Sequence, residues 1–170
     1  SALTVDIYSN LPWEHHYFDT DTMNQYEIWK NHPNLDAKLR EELETLSEKQ
    51  IEDAFYTNIE FGTAGMRGLL GVGCNRINVH TIRKANQGFA NYINANGAEA
   101  AARGIAIGYD NRHMSYEFAM DSAKMLAKNG IRVYVFESLR PTPELSFAVR
   151  HFNCLSCFDQ CIVQLFFFLF

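Results

Sequence analysis

The stretch GIAIGYDNRHMSYEFAMDSAKMLAKNGIRVYVF, residues 104–136, decides the fold of this chain. Its two ends, Gly104–Tyr109 and Ile131–Phe136, are short apolar runs of the kind that form strands covered on both faces of a sheet. Between them, apolar residues recur at helical spacing from Ser115 onward, and an Asn-Gly pair at 129–130 supplies a helix end. A strand, a helix and a strand within about 30 residues predict a right-handed βαβ unit with parallel strands.

A second crossover helix follows this unit. Pro141-Thr142-Pro143 predicts its start, with Thr142 as the N-cap and Pro143 as the first helical residue. Its predicted apolar face consists of Leu145, Ala148, Val149 and Phe152. The helix before it is predicted to be capped by Ser115, and its inner face consists of Tyr116, Ala119, Ala123 and Leu126. Strands that alternate with helices predict an α/β fold with a mostly parallel sheet.

Residues 61–68, FGTAGMRG, have the composition of an anion-binding loop. Three glycines spaced by three let backbone N–H groups approach a ligand closely and form an anion-binding concavity. Thr63 adds a hydroxyl, and Arg67 adds a permanent, fork-shaped charge that suits phosphate. The loop therefore predicts a phosphorylated small molecule as the ligand.

The residues before this loop predict a helical arm over 22–57. A first helix at Thr22–Asn31 ends before Pro33, because the residue before a proline avoids the helical region. Ser47 and Gln50 predict a capping box at the start of the third helix. The apolar stripes of the second and third helices consist of Leu35, Leu39, Leu43 and Leu46, and of Ile51, Ala54 and Phe55.

Three further elements are predicted between the loop and the central unit. Leu69–Val72 is a candidate short strand in which Gly71 and Gly73 suggest a bend or a bulge, and Thr81 is a candidate N-cap for the helix that follows. Residues 97–103 are predicted to be an alanine-rich connection.

Composition and charge restrict the class of protein. Of 170 residues, 47% are hydrophobic and 21% are charged, as in a globular domain rather than a disordered chain. The net charge of −5 argues against a nucleic-acid partner and against an anionic membrane surface. The N-terminus has neither the basic nor the apolar region of a secretory signal, so we expect a cytoplasmic protein.

Two clusters of candidate metal ligands have simpler interpretations. Cys154, Cys157 and Cys161 have metal-like spacing, with His151 as the nearest fourth ligand, and buried thiols without a metal are the preferred alternative. The histidine pair at 15–16 lies near two aspartates, but adjacent imidazoles do not converge, so a surface segment is preferred there.

Functional sites of open α/β sheets lie beyond the carboxyl ends of the strands, and three loops are candidates: 61–68, 110–115 and 137–142. The second and third contain arginines next to helix N-termini, and both features favour phosphate. In the second loop, His113 beside Asp110 is a candidate general base, and the alternative makes Asp110 an acceptor for loop N–H groups. The sequence contains no P-loop, no complete dinucleotide fingerprint and no nucleophile elbow.

Three motifs in this order resemble the first domain of the α-D-phosphohexomutases, the family of phosphoglucomutase and phosphomannomutase. They are FGTAGMRG at 61–68, IGYDNR at 107–112 with Ser115, and PTPELSFA at 141–148. The arm at 22–57 is similar to the N-terminal lead-in of phosphoglucomutases. The resemblance implies a three-layer α/β/α domain I with a mostly parallel sheet, preceded by the helical arm.

The resemblance also implies a function. Family members are isomerases of carbohydrate metabolism that interconvert hexose 1-phosphate and hexose 6-phosphate through an enzyme phosphoserine. The implied ligands are glucose 1-phosphate, glucose 6-phosphate and glucose 1,6-bisphosphate, with Mg²⁺ held by an aspartate loop of the second domain. Arg67 would be catalytic, as the cleft arginine near the phosphoserine. The implied substrate- or phosphate-binding residues are Thr63, Gly65, Gly68, Arg112 and Thr142.

The sequence departs from the family pattern after residue 153. The family continues into a strand and Thr-Ala-Ser-His-Asn-Pro, whose serine carries the phosphate, and no Ser-His-Asn-Pro occurs in this sequence. The aspartate loop for Mg²⁺ is absent as well, so no cofactor is expected for this chain. We expect a helical arm at 1–57, an incomplete domain I at 58–153 and a non-family apolar tail at 154–170, from a shifted frame or a premature end. Three interpretations stay open: the start of a mutase that is inactive alone, a non-catalytic sugar-phosphate-binding module, or a fragment without independent function.

Overall fold

The computed structural model of the chain describes residues 22–62, 65–159 and 164–166. The chain divides into two compact units. The first consists of the described residues up to Glu60 together with Arg67–Thr81, and the second consists of Phe61–Met66 together with the described residues from Ile82 onward.

Three helices form the arm of the first unit: α1 (Thr22–Asn31), α2 (Ala37–Thr45) and α3 (Glu48–Phe55). Asp36 caps α2 by accepting the N–H groups of Lys38 and Leu39, and the Ser47 N–H donates to Gln50 Oε1 in the predicted capping box of α3. The predicted stripes are confirmed: Leu35, Leu43, Ile51, Ala54 and Phe55 are buried, and Leu39 and Leu46 pack against them.

The end of α1 is held by an arginine from α2. Arg40 donates to the carbonyl oxygens of Lys30 at 2.9 Å and His32 at 2.6 Å. A cation that binds the last carbonyls of a helix satisfies groups that have no partner within the helix. Arg40 therefore connects α2 to the end of α1.

The predicted strand at Leu69–Val72 is wrong. Only Leu70 makes an isolated bridge, to Ile77, because the backbone bends at two glycines with positive φ. At Gly73, where φ is 127°, a Cβ would lie 2.5 Å from the carbonyl oxygen of Ala54, so this turn lies directly against the end of α3. The bend places Val72 and Cys74 in the apolar cluster of the arm.

Helix α4 (Val79–Ala95) begins earlier than the sequence predicts. Asn78 caps it, because its Oδ1 accepts the N–H groups of His80 and Thr81 at 3.0 Å each. Thr81 instead lies in the first turn, where its Oγ1 accepts the Asn78 N–H. Each side chain accepts the backbone N–H of the other residue, so Thr81 stabilises the cap that Asn78 forms.

The second unit contains a short hairpin and a four-stranded sheet. Strands β1 (Phe61–Gly62) and β2 (Gly65–Met66) pair antiparallel. The sheet consists of β3 (Ile105–Gly108), β4 (Val133–Val135), β5 (Ser156–Asp159) and β6 (Gln164–Phe166) in the order β4-β3-β5-β6. The βαβ unit is confirmed: β3 pairs parallel with β4, and it also pairs parallel with β5, whereas β6 is antiparallel.

Helices cover both faces of this sheet. Helix α6 (Ser115–Lys128) packs on β3 and β4, and helix α7 (Thr142–His151) packs on β3 and β5. The connection from β3 to β4 crosses in one direction along the sheet, and the connection from β4 to β5 crosses back in the other. Because such crossovers are right-handed, the two helices lie on opposite faces. Together with the arm, this arrangement confirms an α/β fold with a mostly parallel sheet.

Three local predictions in this unit are corrected. Tyr116 is 52% exposed, because the inner face of α6 instead contains Phe118, Ser122 and Met125 along with the predicted alanines and Leu126. Phe152 is 46% exposed and stacks on the ring of Tyr134, with ring centroids 4.7 Å apart. The alanine-rich connection forms a helix, α5 (Ala98–Arg103), because alanine has the highest helix propensity.

A tight junction joins α5 to β3. Gly104 has a φ of 77°, and a Cβ on it would lie 2.3 Å from the carbonyl oxygen of Arg132. The Ile105 N–H donates to this same oxygen at 2.8 Å. Arg103 donates to the carbonyl oxygens of Asn153 and Cys154, which connects α5 to the segment before β5. The segment boundary expected at 153/154 stays a prediction.

Candidate functional site at the carboxyl end of the sheet

The strand order creates a switch point between β3 and β5. The chain leaves β3 toward β4 and later enters β5 on the other side of β3. In open parallel sheets a ligand binds beyond the carboxyl ends of the strands at such a point. The loops that follow β3 and β4 leave from this edge, and the residues directly after β5, 160–163, lie outside the described part of the chain.

The loop after β3 is closed by its own side chains. Ser115 Oγ accepts the Asp110 N–H at 3.1 Å, and Asp110 Oδ1 accepts the Arg112 N–H at 3.0 Å. Asp110 Oδ2 also lies 3.1 Å from Arg112 Nε. Met114 takes the left-handed conformation, with a φ of 65°, where the loop turns into α6. Met114 therefore precedes the helix as its cap residue, and Ser115 is its first residue rather than the predicted N-cap.

This loop favours one of the two roles considered for Asp110. Both carboxylate oxygens engage Arg112, so Asp110 acts as a structural acceptor. His113 in the same loop is exposed. Arg112 remains 59% exposed on its side chain, with its Nε beside the Asp110 carboxylate.

The loop after β4 leads into α7. Pro141 precedes the helix with an extended ψ of 150°, and Thr142 is the first helical residue, so the predicted N-cap role of Thr142 is wrong by one position. Thr142 is exposed at this helix N-terminus. Arg140 forms an exposed ion pair with Glu144, at 3.5 Å between Nε and Oε2.

The residues of the 61–68 loop are divided between the units. Thr63 lies outside the described residues, and Gly65 belongs to β2 of the second unit, where it pairs with Gly62. Arg67 and Gly68 belong to the first unit, and both are exposed. A Cβ on Gly68 would lie 2.8 Å from Ile59 Cδ1. Arg112 and Thr142 lie in the second unit, so the structure brings these two predicted residues to one sheet edge.

The described cysteines are buried thiols. Cys154 and Cys157 are each 2% exposed, and Cys161 lies outside the described residues. Burial raises the pKa of the Cys154 thiol, against the opposing effect of the Arg103 charge. Within residues 22–62, 65–159 and 164–166, no three His, Cys, Asp or Glu side chains form a group that could hold a metal ion. The described residues therefore do not fit the Mg²⁺ of the resemblance.

Sequence reasoning missed a polar contact between α4 and α6. Arg83 forms two short hydrogen bonds to the Asp121 carboxylate, at 2.7 and 2.6 Å, and the Asn86 amide donates to Ser122 Oγ at 2.7 Å. Asn86 and Ser122 are both fully buried. Only apolar positions were considered in the sequence, although Arg83 and Asn86, three residues apart on one face of α4, were a usable signal.

No helix in the described part of the chain is long and apolar enough to cross a membrane.

Comparison with known proteins identifies relatives for most of the chain. A family model described as phosphoglucomutase/phosphomannomutase, alpha/beta/alpha domain I, matches residues 58–158. Proteins named phosphoglucomutase from Staphylococcus aureus strains USA300 and NCTC 8325 are 41% identical over 127 residues, which is 75% of this chain and 22% of each relative. The protein of that name from the bovine strain RF122 is 42% identical over the same length. The chain thus matches about a fifth of the length of these relatives, and no solved structure gives a significant match.

Proposed function

Because the chain belongs to the phosphoglucomutase/phosphomannomutase family through its α/β/α domain I, we propose that it forms one wall of a hexose phosphate site. In this proposal the loops that follow β3 and β4 bind the phosphate group. The relatives match through only 22% of their own length, so the mutase reaction is proposed for a larger assembly of domains to which this part contributes.

The observation that carries the proposal is the loop Asp110–Ser115 at the switch point of the sheet. It presents the Arg112 side chain, 59% exposed and in contact with Asp110, at the carboxyl edge of β3. Arginine binds phosphate bidentately, and Thr142 begins a helix at the same edge, where backbone N–H groups favour anions. These features support phosphate rather than an uncharged sugar as the primary recognition element.

The proposed ligands are glucose 1-phosphate, glucose 6-phosphate and glucose 1,6-bisphosphate. We assign Arg67 to the cleft as the arginine that stabilises charge during transfer, and Thr63, Gly65 and Gly68 to the shape of its loop. The proposal places the protein in the cytoplasm as an isomerase component of carbohydrate metabolism. The resemblance assigns Mg²⁺ to an aspartate loop of a second domain, so the roles proposed here concern phosphate binding only.

Titration of the whole chain with glucose 1-phosphate by calorimetry tests phosphate binding. We expect a dissociation constant on the order of 1 mM, about 4 kcal/mol, because only a few charge-assisted contacts are available. Arg112→Ala should abolish the heat and Arg112→Lys should restore it only in part, since lysine has no bidentate geometry. Arg150→Ala is the matched control, because Arg150 is an exposed arginine in the last turn of α7. Absence of heat for the unmodified chain would favour a fragment without independent function.

A coupled assay for conversion of glucose 1-phosphate to glucose 6-phosphate tests the catalytic part. We expect no turnover by this chain, because transfer needs a phosphoserine and the sequence contains no Ser-His-Asn-Pro segment. Turnover that Arg67→Ala abolishes would contradict this expectation.

A further inference from the structure

We propose that Asp110 is a positioning residue for phosphate binding, which holds the Arg112 guanidinium in one exposed orientation, and that Ser115 fixes Asp110 in turn. The phosphate part of this inference rests on the proposed function. The positioning part rests on the loop geometry alone.

Asp110 contacts Arg112 through both of its carboxylate oxygens. Its Oδ1 accepts the Arg112 backbone N–H at 3.0 Å, and its Oδ2 lies 3.1 Å from Nε of the same residue. One carboxylate therefore fixes both the base and the head of the arginine side chain. The Asp110 side chain is 21% exposed and that of Arg112 is 59% exposed, so the carboxylate lies on the inner side of the pair.

Ser115 completes the loop from the helix side. Its Oγ accepts the Asp110 N–H at 3.1 Å, and its own N–H donates to the Arg112 carbonyl oxygen at 3.1 Å. Ser115 is 2% exposed, so this contact is shielded from water. Ser115 thus holds the backbone of both Asp110 and Arg112, and this places the Asp110 carboxylate where it contacts the Arg112 Nε.

The consequence is lower entropic cost on binding. A free arginine loses the freedom of several side-chain torsions when it binds phosphate, and each ordered side chain of this kind lowers affinity. An arginine already held by a carboxylate has lost that freedom in the unliganded state. Asp110 therefore acts on affinity through Arg112 and does not itself touch the ligand.

Asp121 provides a matched control for Asp110. Its carboxylate also pairs with an arginine, Arg83, and it is 23% exposed, close to the exposure of Asp110. This pair connects α4 to α6 and lies outside the proposed phosphate site. Asp121→Asn should therefore lower stability without changing affinity.

The test combines titration with unfolding. Glucose 1-phosphate and inorganic phosphate are titrated into the whole chain and into Asp110→Asn, which keeps an oxygen for the Arg112 N–H. We expect Asp110→Asn to raise the dissociation constant for both ligands roughly tenfold, the factor for one lost charge-assisted contact, with little change in the urea midpoint. Asp121→Asn should give the reverse pattern. Equal affinities for Asp110→Asn and the unmodified chain would overturn the proposal.

A second readout separates this inference from the proposed function. The Arg112 Nε–Hε signal in ¹⁵N NMR should be visible in the unliganded chain, weakened in Ser115→Ala, lost in Asp110→Asn and retained in Asp121→Asn. Persistence of that signal in Asp110→Asn would overturn the positioning role even if phosphate binds. If the unmodified chain binds neither ligand, the phosphate part fails with the proposed function, and the NMR signal still decides whether Asp110 positions Arg112.

Discussion

Replacement of Gly104 by alanine tests the tight junction between α5 and β3. Gly104 has a φ of 77° and a ψ of −170°, a conformation that is essentially restricted to glycine and costs another residue about 1–3 kcal/mol. The added Cβ would also lie 2.3 Å from the Arg132 carbonyl oxygen and 2.8 Å from Arg132 Cβ. Backbone atoms cannot move aside as a flexible side chain can, and overpacking of this kind costs about 1–3 kcal/mol.

We therefore expect Gly104→Ala to lower the free energy of unfolding by about 4 kcal/mol. With a urea m-value of about 2 kcal/mol/M, the midpoint measured by circular dichroism should fall by about 2 M. Amide hydrogen exchange at Ile105–Gly108 should become faster, because these residues directly follow the strained Gly104.

Two other glycines distinguish the cost of the backbone conformation from the cost of the steric contact. Gly130 has a φ of 79° with no atom within 4 Å of the position that a Cβ would occupy, so Gly130→Ala should cost only the conformational part, about 1 kcal/mol. Gly88 lies in α4 with open space around its Cβ position, so Gly88→Ala should stabilise by about 0.5–1 kcal/mol. If Gly104→Ala is no more damaging than Gly130→Ala, the steric argument is wrong.

Three further outcomes are expected. Arg40→Met should lower the free energy of unfolding by about 2 kcal/mol in urea titrations, because it leaves the carbonyls of Lys30 and His32 without their charged donor. Burial, and then the Arg40 charge, lower the pKa of His32 below 6.5. The unfolded chain therefore binds more protons near that pH, and the free energy of unfolding should fall as the pH drops through 6.5. His32→Gln should show a shallower pH dependence of stability between pH 7.5 and 5.5. Burial raises the pKa of Cys154 above 9.0, so the folded thiol keeps its proton where the unfolded thiol ionises, and the free energy of unfolding should fall as the pH rises through 9. Mass spectrometry should also find Cys154 alkylated more slowly in the native chain than in urea.

The helical arm and the βαβ unit were predictable because their signals are local. The bounds of α1 agree with Thr22–Asn31, and the capping box at Ser47 is present, because a helix start depends on residues three apart. The strands β3 and β4 were visible as apolar runs bounded by turn residues. The predictions failed where tertiary contacts decide. The bend at Gly71 and Gly73 was indicated by the sequence, but the strand expected at Leu69–Val72 does not form where this turn lies against the end of α3. Tyr116 turns outward because other residues of α6 cover the sheet.

The location of the candidate site was predictable from the sequence, but the contacts within it were not. The rule that ligands bind at the carboxyl ends of strands selected the loops of Arg112 and Thr142, and the structure puts both at one sheet edge. The contacts of Asp110 with Arg112 and Ser115 could not be read from spacing, because Ser115 looks equally suited to cap the helix. The phosphate-site roles stay predictions for all six residues: Thr63, Gly65, Arg67, Gly68, Arg112 and Thr142.

The central position of β3 has a consequence for synthesis of the chain. Both of its neighbours in the sheet, β4 and β5, are encoded later, so β3 leaves the ribosome with no strand to pair with. Ile105 and Ile107 are fully buried in the finished sheet, and until Ser156–Asp159 emerges this apolar strand has one unpaired edge. Parallel pairing between distant segments is slow, and exposed strand edges promote association of nascent chains. We therefore expect ribosome-bound intermediates that contain β3 but not β5 to be the stage at which a holdase chaperone binds this protein.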